Sequence, residues 1–342
     1  MIPSFVTAVA SVTFAGCAKY ETSYAAYDTA DEKVEITFQL APLSKASDAN
    51  FSTACVFQTN AFYHPEDSRW TTHASDSREH IYRQEVSWIG GAWRMENRHF
   101  WPSDGGNLTF FSWSLNRNDL SFHRDSAAAV DIDSELGVHL TGFDISLEDN
   151  LDFMVATASC DKTLGDFSSA ASASVATHFG HQLSKLQVSA RTGDDYSGSK
   201  EFSINSIWMK NVARTGEYQQ SSCESGEWRE IHRWTTDSSY DAVYGDYSAA
   251  PASVTAAEVT LPGEKVLYIP QTFADGVEFI EVNYTIRDLF SDVVENVTES
   301  IPLRSLIGGG AFRNGVLYTI CLTLSLDAIT WAPAVADWDS VS

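Results

Sequence analysis

The residue types that do chemistry are present in this chain, but their spacing does not assemble them into a catalytic or metal site. His178 and His181 stand three positions apart. On a strand such residues point to opposite faces, so the pair cannot chelate a metal without a bend, and a third ligand is missing. Packing in a core or at an edge is the expectation for both. His99 and His123 have no carboxylate or Cys at metal spacing and read as surface or edge residues. The acidic runs Asp131-Ile132-Asp133-Ser134-Glu135 and Glu148-Asp149-Asn150 could offer oxygen ligands to calcium. Neither completes the alternating-carboxylate loop closed by Glu, and the first lacks the turn Gly, so solvated loops are expected. Carboxylates are too numerous for a glycosidase pair to be singled out. Gly-x-Ser-x-Gly, His-Glu-x-x-His and phosphate-loop motifs do not occur. No enzymatic activity, metal or cofactor is expected.

The cysteines carry a different chemistry. Met1–Gly16 is apolar and rich in small residues, and Phe14-Ala15-Gly16 directly precede Cys17. This is the pattern of a bacterial lipobox, in which a signal peptide over residues 1–17 is removed and Cys17 is lipidated. No Lys or Arg precedes Lys19, so the alternative is a sequence that starts downstream of its basic region, or a buried first strand. Cys55, Cys160, Cys223 and Cys321 are far apart and form no CxxC. Buried thiols are the preferred reading, with a disulfide of unassigned pairing permitted in an exported protein.

A net charge of −24 disfavours phosphate-backbone binding, because that affinity depends on Lys and Arg displacing counterions. Nucleic acid is not an expected partner. Outside the start, no apolar run approaches the ~20 residues of a membrane span, so attachment would be through lipid.

The elements that position these residues are strands. Val34–Leu40 alternates apolar and polar residues, as do Lys265–Gln271, Val277–Arg287 and Gly315–Leu326. Ile81–Trp88 and Trp93–Trp101 flank the Gly90-Gly91 turn as a hairpin, and Leu108–Leu115 continues it as a meander. Thr53–Phe62, Val138–Ile145, Phe153–Ala158, Ala176–Arg191, Glu201–Met209, Trp228–Trp234, Ser253–Leu261 and Ile329–Trp338 complete the series. Ala127–Val130 reads as a short turn of helix, and Tyr240–Ala252 as a loose segment. At 342 residues the chain exceeds the ~250–300 at which one core stops growing. Ten Trp, 13 Tyr and 19 Phe can fill two cores. The expectation is an all-β chain with a tether over 18–32, an N-terminal β-sandwich over 33–165, a Ser- and Ala-rich boundary at 162–174, and a C-terminal β-sandwich over 175–342. Trp88, Trp93, Trp101 and Trp113 are expected in the core, whereas Trp331 and Trp338 occupy a terminal strand that could dock in another subunit.

Several segments together resemble the fimbrillin family of Bacteroidetes. They are Tyr82–Trp88, Gly91-Ala92-Trp93, Phe100-Trp101-Pro102, Leu108–Trp113, Asp152–Ala156, Thr177–Leu186, Ile204–Val212 with Gly216, Tyr268–Gln271, Val282–Ile286 and Ile329–Trp338. The likeness covers about residues 80–342, in the family's order and spacing. It implies two transthyretin-like antiparallel β-sandwich domains in tandem and a place in type V pili, polymers of subunits exported to the outer membrane as lipoproteins. In that family a protease removes a leading strand after a basic residue, and a partner subunit's C-terminal strand fills the vacated groove. Carried onto this chain, Val34–Leu40 is the removable strand and Lys45 or Arg69 the cleavage residue. Ile329, Trp331, Val335 and Trp338 then belong to the donor strand. Pro333 departs from a regular donor, since it removes a ladder hydrogen bond and favours an edge. The implied partners are other pilus subunits, the outer membrane through the lipid anchor, and a host glycan or protein receptor. The competing reading is a monomeric glycan-binding surface lipoprotein.

Overall fold

The computed structural model describes residues 33–40, 53–70, 77–116, 129–133, 137–147, 150–169, 173–220, 233–236 and 239–338. Among these residues the protein is built almost wholly of strands, arranged in four sheets. In the first sheet the order is β10 (Ser174–Thr177), β1 (Thr37–Leu40), β4 (Ala92–Met95), β3 (Arg78–Ile89), β2 (Phe57–His64), β5 (Asn107–Asn116), β8 (Asp152–Ala156) and β11 (Phe179–His181). β9 (Ser159–Lys162) also pairs with β5. The second sheet runs β15 (Arg233–Thr236), β14 (Thr215–Gln219), β7 (Gly137–Asp144), β6 (Ala129–Asp133). The third runs β18 (Val259–Leu261), β12 (Ser184–Thr192), β22 (Val316–Leu324), β23 (Ile329–Asp337), with β19 (Leu267–Tyr268) on β12. The fourth runs β16 (Ser239–Asp246), β13 (Lys200–Ala213), β20 (Phe279–Asp288), β21 (Val294–Pro302), with β17 (Ala252–Val254) on β13. One helical turn, α1 (Leu303–Leu306), follows β21.

Period-2 patterning explains how these sheets pack. Leu186, Val188 and Ala190 of β12 and Ile320, Leu322 and Leu324 of β22 are buried in the same cluster as Ile204, Ile207 and Met209 of β13 and Ile280, Val282 and Tyr284 of β20. The third and fourth sheets thus share one core. Tyr244 of β16 spans it, its hydroxyl accepting from Val188 N at 2.9 Å and donating to Leu261 O at 3.1 Å. β5 carries apolar residues on both of its rows, and its Thr and Ser residues are buried with them, because both of its faces are covered. Phe111, Trp113 and Leu115 join the large core, while Leu108 and Phe110 join a smaller one with Ile36, Phe38, Phe57 and Trp93.

The sheets do not divide where the chain's composition changes. β10 and β11, beyond the Ser- and Ala-rich stretch, return to the first sheet, and β14 pairs with β7 of the second. Ala129 and Val130 begin a strand and not a helical turn, since Val130 enters the large core. Likewise β16 fills most of the segment expected to be loose, held by the buried Ala242 and Tyr244. Gly90 and Gly91 have φ of +60° and +88°, the left-handed pair that closes the β3–β4 hairpin.

Candidate assembly site

Val34–Leu40 lies inside the first sheet. β1 pairs in parallel with β10, Thr37 to Leu40 standing beside Ser174 to Thr177, and on its other side Phe38 stands opposite Trp93 of β4. The preceding residues extend the contact: Ile36 N donates to His99 O at 2.8 Å and Trp101 N to Val34 O at 3.0 Å. Glu35 accepts from Arg94 Nη1 at 2.7 Å. Ile36 and Phe38 are buried, and Val34 and Leu40 pack against the same cluster. The Phe38 ring meets Phe57 and Phe110 edge-on at 5.4 and 5.9 Å. A segment of four alternating apolar residues is therefore the filling of a slot between β4 and β10. Taking it out would expose that slot and two rows of backbone hydrogen-bonding groups.

β23 occupies the opposite situation. It pairs along its whole length with β22 and lies at the edge of the third sheet. Pro333 is tolerated on such a strand. Trp331, Pro333 and Val335 stand opposite Leu322, Ile320 and Tyr318, which are core residues, so all three lie on the inward row. Yet Trp331, Pro333 and Val335 are exposed, because the strand overhangs its sandwich. Its side chains are buried only at its ends. Ile329 is buried and its N–H donates to the Glu299 carboxylate at 3.0 Å. Trp338, also buried, stacks on His181.

Of the residues singled out in the sequence, Arg69 is half-buried and precedes Trp70, which is locked in the core with its ring 5.2 Å from that of Phe111. Trp70 N donates to Asp161 Oδ1 at 2.6 Å. Cys17 and Lys45 lie outside the described residues, as do His123, Glu148 and Asp149. His178, between β10 and β11, is exposed, whereas His181 is buried. Asp131 is an exposed partner of Arg83 at 3.2 Å. Trp93, Trp101 and Trp113 are buried, but Trp88 is 43% exposed, because it stands beside the β3–β4 turn at the rim of the core. Cys55 is a buried thiol outside any disulfide, as expected, whereas Cys160 is disulfide-bonded. Among the described residues no cluster of His, Cys, Asp and Glu has the geometry of a metal site.

A family model described as fimbrillin-like matches residues 66–338. The chain is 19% identical to the fimbrium subunit Fim1C of Phocaeicola vulgatus over 363 aligned positions, covering 96% of this chain and 93% of that protein. Its fold is similar to the crystal structure of a fimbrial protein from Bacteroides vulgatus, with a TM-score of 0.61 at 14% identity, over 89% of this chain and 99% of that one.

Proposed function

Because the chain belongs to the fimbrillin-like family, we propose that it is a pilus subunit that assembles by exchanging its first strand for the last strand of a neighbouring copy. One correspondence carries the reading: the slot-filling residues Val34, Ile36, Phe38 and Leu40 and the β23 residues Ile329, Trp331, Pro333 and Val335 are both apolar rows at every second position. The exchange has a physical drive. As an edge, β23 has one hydrogen-bonded neighbour, whereas the segment in the slot has neighbours on both sides. The Trp331 and Val335 side chains, now wet, gain roughly 1.5–3 kcal/mol each on full burial, which offsets part of the cost of association.

The position of cleavage follows from what each cut would release. A cut after Arg69 would detach β2 together with β1, and β2 is paired on both sides with β3 and β5. That removes the centre of the first sheet. A cut after Lys45 releases β1 alone, so Lys45 is the proposed site. Export as a lipoprotein through Cys17, residence at the outer membrane and a role in adhesion belong to the same reading.

Trypsin treatment of the purified precursor tests it. Ladders of high molecular weight that survive mild heating in detergent are expected, and deleting residues 329–342 should leave only monomers. Ladders that persist without those residues would refute strand donation. The competing glycan-binding reading draws on the exposed rings of Tyr82 and Trp88 on β3. Retention of monomer on a glycan column, lost in Trp88→Ala, would favour it.

A further inference from the structure

The turn between β20 and β21 is an exposed apolar tip. Phe290 is 83% exposed, and Leu289, Val293 and Val294 are each at least 41% exposed. Four large apolar side chains in six residues of solvent-facing chain form a patch that a monomer gains nothing by presenting. The tip is also built to hold its shape. Asp288 Oδ1 accepts from Phe290 N at 2.9 Å and from Ser291 N at 2.8 Å, while Oδ2 takes Lys200 Nζ at 2.6 Å. Asp288 N donates to Val293 O and Asp292 N to Asp288 O, with Asp292 at φ +59°. The β12–β13 loop supports the tip, Leu289 N donating to Ser199 O at 3.0 Å. Tyr196 of that loop reaches the backbone of Leu326, a further exposed apolar residue in the β22–β23 turn. Such preorganisation lowers the ordering cost of binding.

The charges around the tip choose its partner. Lys200 is paired with Asp288, and Arg287 with Asp292 and Glu201. Asp194, Asp195, Glu295 and Asp327 have no ion pair among the described residues. The rim is therefore acidic. We propose that this tip docks a partner protein presenting an apolar cleft rimmed by Lys and Arg. An anionic lipid surface, or a second copy of this chain with its net charge of −24, would meet like charge at the same rim. The proposal does not depend on strand exchange, since it requires only the folded precursor with β1 in place.

The test uses the full chain and three synthetic peptides of equal length, alternating Leu with Lys, Leu with Glu, or Ser with Lys, followed by fluorescence anisotropy. The Leu/Lys peptide should bind and the other two should not. The double variant Phe290→Ser with Val293→Ser, which leaves the charge unchanged, should weaken that binding at least about tenfold, or 1.4 kcal/mol. Phe290→Leu should retain most of it. Raising the salt to about 0.5 M should weaken binding by screening the rim. Equal affinity of the wild type and the double-serine variant overturns the proposal, as does equal binding of the Leu/Glu peptide. Self-association or binding to anionic vesicles that the double-serine variant abolishes would assign the tip to a second copy or to a lipid surface, and overturns it as well.

Discussion

The indole of Trp338 lies flat on the imidazole of His181, with ring centroids 3.6 Å apart and planes 10° from parallel. His181 ends β11 in the first sheet and Trp338 follows β23 in the third, so the stack ties the last strand to a sheet it does not otherwise join. Asp152 Oδ2 lies 2.7 Å from His181 Nδ1, and Lys185 Nζ sits over the same indole at 5.0 Å. Burial pushes the Lys185 ammonium down from its usual range, and Asp152 opposes that shift. With Ile329 held at the other end by Glu299, β23 is a strap whose backbone pairs with β22 throughout but whose side chains are pinned at two points and open to water between them.

Trp338→Ala should therefore loosen the strap before it unfolds the protein. Core Trp-to-Ala changes cost about 3–5 kcal/mol when the surroundings cannot relax, but here the end of the chain can detach. The expected outcome is amide hydrogen exchange at least about tenfold faster across Thr330–Asp337, with β13 and β20 unchanged. Unaltered exchange in β23 would show that the stack does not anchor it.

Phe38→Ala and Trp88→Ala should separate sharply in urea. Phe38 fills the slot against Phe57 and Phe110, so about 3–5 kcal/mol should be lost. Trp88 touches Trp93 at 5.7 Å but leaves much of its surface in water, and about 1 kcal/mol or less is expected. Equal losses would mean that β1 is not part of the folded core.

Residues 34–40, 277–287 and 315–326 could be read as strands because each has one row in the core and one facing out. β21 could not. Glu295, Val297 and Glu299 stand opposite Ile286, Tyr284 and Val282, on the row that should be apolar, and the edge position lets carboxylates occupy it. β16 was obscured for another reason, since the small Ala242 shares its buried row with Tyr244 while Asp241 and Val243 alternate with them. The rows of β1 and β23 were both legible as apolar, but not their difference in burial. That β1 is interior depends on a parallel pairing with β10, far along the chain, and no local pattern encodes it. The cluster of Asp152, His181, Lys185 and Trp338 likewise comes from three separate stretches of chain, and spacing cannot announce it.

The β20–β21 tip should keep its geometry well into acid. Lys200, then the backbone N–H groups of Ser291 and Phe290, hold the Asp288 carboxyl well below the usual carboxylate range. A depressed carboxylate contributes stability that is fully present above its unfolded value of about 3.9 and is lost as pH falls through its lower folded value. The amide shifts of Phe290 and Ser291 should accordingly titrate with a midpoint below about 3.9, and Lys200→Ala should move it upward. A midpoint at or above the unfolded value in the wild type would contradict the role of Asp288 in the turn.

Cysteine chemistry gives a test that links the lipid anchor to the fold. Cys160 is disulfide-bonded, while Cys55 and Cys321 are outside any disulfide, which leaves Cys17 and Cys223 as its possible partners within the chain. A lipidated Cys17 would have its sulfur committed to a thioether and could not form a disulfide. If the lipoprotein reading holds, non-reducing peptide mapping of the exported protein must recover Cys160 joined to Cys223. Cys223→Ser should then free a Cys160 thiol to alkylation and lower stability by about 2–4 kcal/mol. Recovery of Cys160 joined to Cys17 would rule out lipidation at that sulfur and leave the subunit without its proposed anchor.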